Sequence, residues 1–274
     1  MTPREKKKLL QTSNILAVII TILINGFAIL LPLNGKTTQE LSDALPNLFV
    51  PAGITFSIWS IIYILWIVFA LYQARDLFKQ EEIKMPFVHQ ISFLFILSSV
   101  ANSAWIFLWH YEYVGLSLVV MILLLFSLLS IYVRLHIGLI RVPVKDKHCV
   151  HVPISVYLGW ITIATIANVT AFLVSVNWDG FGIDPLTWTI IIIAVGTLLT
   201  YLMLAFRKDL AFSLVVLWSF SGIWMKRMMQ PNTPTDINVA TTISIAIVLL
   251  VAGLLAVVVY QLMILRKQKI KQKL

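Results

Sequence analysis

The chain has 274 residues, 59% hydrophobic and only 12% charged, with a mean hydropathy of +0.92. A soluble domain carries about 25% charge, so this composition excludes a water-soluble globular fold and points to one membrane-embedded helical bundle. The formal net charge of +9 does not imply nucleic acid as a partner. The basic residues sit in short segments between apolar runs, where they orient a membrane protein and meet anionic lipid. With Cys149 as its only cysteine, the chain forms no intrachain disulfide.

The start, MTPREKKKLL, resembles the charged end of a signal peptide. The apolar run behind it, Ile15–Leu33, is longer than the roughly 7–15 residues of a signal-peptide core. It therefore reads as a retained first span. Three spans follow at Ala52–Tyr72, Ile91–Trp109 and Val114–Val133, then four more at His151–Val176, Leu186–Phe206, Leu210–Met225 and Val239–Leu265. Most reach the roughly 20 residues that cross the hydrocarbon layer; Leu210–Met225 is short, with Lys226 and Arg227 placed to snorkel beside it.

Eight spans with the N-terminus inside put 18 of the 21 Lys and Arg on the inner side, among them Lys267, Lys269, Lys271 and Lys273 of the tail. Only Lys36, Lys226 and Arg227 fall outside. Seven spans would place the basic tail outside, against the positive-inside rule. The expectation is an all-α polytopic bundle of about eight helices with both termini cytoplasmic. No linker, low-complexity segment or internal repeat divides it.

No Asp, Glu, Lys, Arg or His lies deep in an expected span, which argues against a pump or proton-driven carrier. The intramembrane polar residues are Asn25, Asn102 and Asn168. Each needs a partner in lipid, either as helix-to-helix glue or as a polar anchor in an apolar pocket. The nine tryptophans crowd the outer half, with Trp66, Trp160 and Trp218 nearer mid-depth, while tyrosines occupy the inner side. An interfacial belt explains Trp178 and Trp188; the excess suits an aromatic cavity opening outward.

Helical spacing sharpens that alternative. Trp59, Tyr63 and Trp66 share one face. Asn102, Trp105 and Trp109 line one side of the next helix, and Trp160, Ala164 and Asn168 drift by only about 80° over two turns. Core packing would use the same stripes.

These residues also carry a resemblance. PAGITFSIWSIIY, from Pro51 to Tyr63, resembles the PPxxxFxxxWxxLY segment of the tryptophan-rich sensory/translocator (TspO/MBR) family. Asn102-Ser-Ala-Trp105 is similar to the family's N-x-x-W, and Tyr157-Leu-Gly-Trp160 with Asn168 is similar to its YLxW…N helix. The three blocks lie in family order and cover roughly Ile15–Asn177.

The resemblance implies a five-helix core at residues 1–177, with three additional helices and a basic tail at 178–274. It also implies binding of porphyrin, haem or a similar planar apolar ligand. Trp59, Asn102, Trp105, Trp160 and Asn168 are the candidate ligand-binding residues. A facilitator moving such a ligand and a light-dependent porphyrin-degrading activity are the alternatives. No catalytic residue, metal ligand or required cofactor is assigned; porphyrin or haem enters as ligand. Membrane lipid is the other partner, homodimerisation is left open, and the implied location is a bacterial plasma membrane.

The first loop departs from the family: Leu48-Phe49-Val50-Pro51 stands where W-x-P-P is usual, leaving Phe49 as the apolar cap. Two lesser candidates are His148-Cys149-Val150-His151 as a metal site and His110 with Glu112 as an acid–base pair. A solvated turn and an interfacial anchor are their respective alternatives. No P-loop, nucleophile elbow or zincin helix occurs.

Overall fold

The computed structural model describes residues 1–31, 33–229 and 233–271, without the side chains of residues 265 and 267–271. Lys267, Lys269, Lys271 and Lys273 of the basic tail therefore lie outside the described side chains.

Among the described residues, eight long helices form the bundle: α1 (Pro3–Leu30), α2 (Ile58–Gln73), α3 (Leu94–His110), α4 (Val114–Arg134), α5 (Val152–Ser175), α6 (Pro185–Leu202), α7 (Leu210–Met229) and α8 (Pro234–Lys271). Six helical stretches are long and apolar enough to cross a membrane, and α3 is a shorter apolar helix. The protein is thus an all-α polytopic bundle.

Several expected boundaries move, each for a local reason. Helix α1 begins at Pro3, well before Ile15, because Thr2 and Glu5 form a reciprocal capping box. The expected start of the third span at Ile91 is displaced. A short helix, Pro86–Ile91, ends where Ser92 takes a positive φ of 52°, and α3 begins at Leu94. The second span opens with a 3₁₀ turn at Gly53–Ser57 before α2. Helix α7 was expected to stop at Met225 and runs instead to Met229, a full 20 residues. Its terminal Lys226 and Arg227 pair with Asp43 and Asp236 at 2.9 and 3.0 Å, so those charges are neutralised at the helix end.

Helices α1–α5 close a ring in the order α1–α2–α5–α4–α3. Helix α7 packs on the outside of α5, α8 on α7, and α6 on α8. Gly159 permits the α5–α7 approach: a Cβ there would lie 3.0 Å from the Phe212 carbonyl oxygen. The last three helices therefore cover one face of the five-helix ring.

Helix ends gather into two layers. At one, Lys7 meets Asp76 at 2.6 Å, Tyr132 and Ser155 donate to Asp209 at 2.9 and 2.6 Å, and the Arg207 guanidinium donates to the Ile137 carbonyl. At the other, Asn34 donates to the His110 carbonyl and Lys36 meets Glu112. These buried charges sit at helix ends, Lys7 and Asp76 as an ion pair and Asp209 held by two hydroxyls.

Candidate functional site

Trp59 is the hub. On α2 its ring stacks on Tyr63, one turn later, at 5.7 Å. Across the ring of helices it lies 6.5 Å from Trp105 of α3 and 6.0 Å, edge-on, from Trp160 of α5. Trp105 in turn stacks on Trp109 at 5.8 Å and 17°. The three helical stripes do face one another, and the aromatic pairs adopt the offset and edge-to-face geometries that ring quadrupoles favour.

The three asparagines all find partners on other helices. Asn25 of α1 donates to Asn102 Oδ1 at 2.8 Å, and Asn102 donates to the Tyr157 hydroxyl at 3.2 Å. Asn168 accepts from Trp105 Nε1 at 2.9 Å and donates to Ser117 Oγ at 3.1 Å. Asn168→Leu would leave the Trp105 indole N–H buried without its acceptor. A loss of about 1–3 kcal/mol is expected in thermal unfolding. Asn25→Leu should cost less than Asn102→Leu, because Asn102 stands in the middle of its chain and serves two partners.

Beside Trp59 lies a cavity of about 60 Å³. Trp59, Trp105, Trp160 and Asn168 line it, whereas Asn102 is fully buried outside its wall. Two buried polar atoms at the lining, Trp160 Nε1 and Thr55 Oγ1, have no hydrogen-bond partner among the described residues. An orphaned indole N–H on a chamber-lining tryptophan is a donor with no protein acceptor.

Other walls come from residues that the spacing argument did not reach. Thr38, Ser42, Phe49 and Pro51 of the first loop close the chamber, and Ser219 and Ile223 of α7 complete it. Helix α7 is held there by Trp218 Nε1 donating to the Thr55 carbonyl at 3.0 Å and by Ala52 N donating to the Gly222 carbonyl at 2.9 Å. The only sequence sign of this contact is the glycine at 222, which lets backbone approach backbone.

The first loop is a clamped lid. Its short helix, Thr38–Asp43, is capped by Thr37 and Glu40; the Thr37 backbone and side-chain hydrogen bonds hold the Glu40 carboxyl below its ordinary range. Trp109 Nε1 donates to the Thr38 carbonyl, and His110 bonds the Leu33 carbonyl through Nδ1 and the Thr38 hydroxyl through Nε2, each at 3.1 Å. His110 is buried as a lid fastener, while Glu112 pairs with Lys36 at 2.5 Å. The acid–base reading of these two residues therefore fails. His148 Nδ1 bonds the Val144 carbonyl, and the expected solvated turn at His148-Cys149-Val150-His151 is instead a π-helical segment, Lys147–His151, that leads into α5 with Val150 and His151 buried.

Fold and site together define a polytopic helical membrane protein with a Trp/Asn-lined chamber walled by the five-helix ring, the first loop and α7. A family model described as TSPO-like protein matches residues 11–265, and the chain belongs to that family. The match runs through the last three helices as well as the ring. No curated protein and no solved structure matches the chain.

Proposed function

We propose that this TSPO-like chain is an integral membrane binding or sensory protein for a porphyrin, haem or similar planar apolar ligand. The observation that carries the reading is the convergence of Trp59, Trp105 and Trp160, from three helices, on one chamber that holds the unpartnered Trp160 N–H. Indole faces stack on a planar ring. Trp160 donates to its polar edge, Asn168 positions Trp105, and Asn102 acts indirectly by holding Tyr157 against Trp59.

A chamber of 60 Å³ admits a few waters; drug-sized ligands need about 300–1,000 Å³. Binding therefore displaces the lid and Phe49. The proposal contains no catalytic step and no cofactor besides the ligand. The 1–177 ring is the ligand-holding core and the 178–274 segment supplies its outer wall. The positive-inside bias supports both termini on the cytoplasmic side of the membrane. Facilitated movement of the same ligand is the second reading, and the lack of ionisable groups at mid-span argues against a proton-driven form of it.

Titrating the purified protein in detergent with protoporphyrin IX should give saturable tryptophan quenching. Trp160→Phe should weaken affinity about tenfold, the worth of one hydrogen bond, and lower the unfolding midpoint through the volume it removes from a buried position packed on Trp59 and Phe56. Quenching that never saturates, or matches an unrelated membrane protein, overturns the proposal.

A further inference from the structure

A second and much larger cavity, about 820 Å³, lies beside the aromatic chamber. Its walls are residues 46–50 of the lid, the Ile166–Val174 stretch of α5, and the start of α6 with its preceding loop. Phe49, 2% exposed, lines both cavities. The two spaces are thus neighbours with one phenyl ring in the shared wall.

The groove has the composition of a built site. Trp178 and Trp188 meet at 5.2 Å and 52°, and Trp188 is fixed by its Nε1 donating to the Gly180 carbonyl at 2.9 Å. Ile166, Val169 and Leu173 supply an apolar floor about 10 Å long at 1.5 Å per residue. The polar end holds Lys226 and Arg227 with Asp43 and Asp179. Lys226 is paired with Asp43, and Asp179 caps the Phe181 amide. Arg227 donates from Nη1 to Asp236 and keeps its buried Nε–H without a partner among the described residues.

We propose that this groove is the first docking site for the ligand, a planar apolar molecule carrying a carboxylate at one edge, and that Phe49 is the partition it passes to reach Trp59. The inference rests on the reading that the chamber holds a planar ligand. Three observations favour it over direct entry to the chamber. The groove alone has a volume within the range of small-molecule sites. It is continuous with the chamber wall through Phe49. The Arg227 Nε–H, without a partner among the described residues, suits a carboxylate oxygen, to which charge-assisted bonds are short and strong.

The test compares protoporphyrin IX with its uncharged dimethyl ester, by tryptophan quenching of the full chain. The free acid should bind the wild type about tenfold tighter than the ester. Val169→Trp, which fills the groove from a partly exposed position, should weaken both ligands at least tenfold. Arg227→Gln should erase the preference for the acid. Asp236→Asn breaks the same ion pair but spares the guanidinium, so it should retain that preference. Val169→Trp binding like wild type, with Trp105→Leu still weakening it, overturns the groove and leaves the chamber reading intact. An acid preference that survives Arg227→Gln overturns the carboxylate recognition. Absence of saturable binding by the wild type overturns both.

Discussion

Asp76→Ala is expected to lower the stability of the detergent-solubilised protein by about 3–5 kcal/mol, the usual cost of stranding one partner of a buried ion pair. Lys7 and Asp76 are only 3% and 4% exposed and meet at 2.6 Å. Asp76 also accepts from Gln11 Nε2 and from the Ile83 amide, each at 2.8 Å. Lys7 would keep only the Ile83 carbonyl and a longer contact to the exposed Glu82. Removing both charges together, in Lys7→Met/Asp76→Leu, should restore most of the loss, because a well-packed apolar pair replaces a desolvated ionic one at little cost. Thermal unfolding of both single variants and the double variant measures this. A double variant as unstable as Asp76→Ala would mean that the loss comes from the Gln11 and Ile83 bonds instead. The same pair anchors the early start of α1 against the segment after α2, so the single variant should also expose residues 3–14 to proteolysis.

Gly222→Leu is expected to cost about 2–4 kcal/mol and to abolish saturable ligand quenching. A Cβ at position 222 would lie 1.8 Å from Thr55 Oγ1 and 2.8 Å from two further atoms of that side chain. Thr55 is fully buried, so it has no free direction to turn. Overpacking of this kind costs about 1–3 kcal/mol. Separation of α7 also loses the Ala52-to-Gly222 backbone bond, worth about 1 kcal/mol more. Because Thr55, Ser219 and Ile223 all border the chamber, the clash opens its wall as well as destabilising it. Gly222→Ala should show the same direction with a smaller loss. Ligand binding that survives Gly222→Leu, in a protein that has lost stability, would mean that α7 supports the bundle without shaping the site.

Much of this protein follows from its sequence alone. Long apolar runs require helices that satisfy their own backbone groups in lipid; the distribution of 21 basic residues leads to an expectation of eight spans, of which six are membrane-length apolar stretches and α3 is a shorter one. The 3.6-residue period places Trp59 with Tyr63, Asn102 with Trp105, and Trp160 with Asn168 on common faces. Those faces do meet in the structure, and their order identifies the family. Helix ends were less legible: Pro3, Ser92 and Met229 mark boundaries decided by a capping box, a positive φ and ion pairs with distant acids, none of which hydropathy encodes.

Tertiary structure alone decided how the asparagines divide. Asn102 and Asn168 look alike in sequence, each buried on an aromatic stripe. Yet Asn102 points to Asn25 and Tyr157, outside the chamber, and Asn168 sits at its wall. The difference is a rotation of each helix about its own axis against neighbours far away in the chain, which no local periodicity specifies. The same holds for the α7 wall and the Phe49 partition. The Thr55 side chain occupies the space that a Cβ at 222 would fill, and the Ala52 amide bonds the Gly222 carbonyl; that contact is a property of the folded bundle.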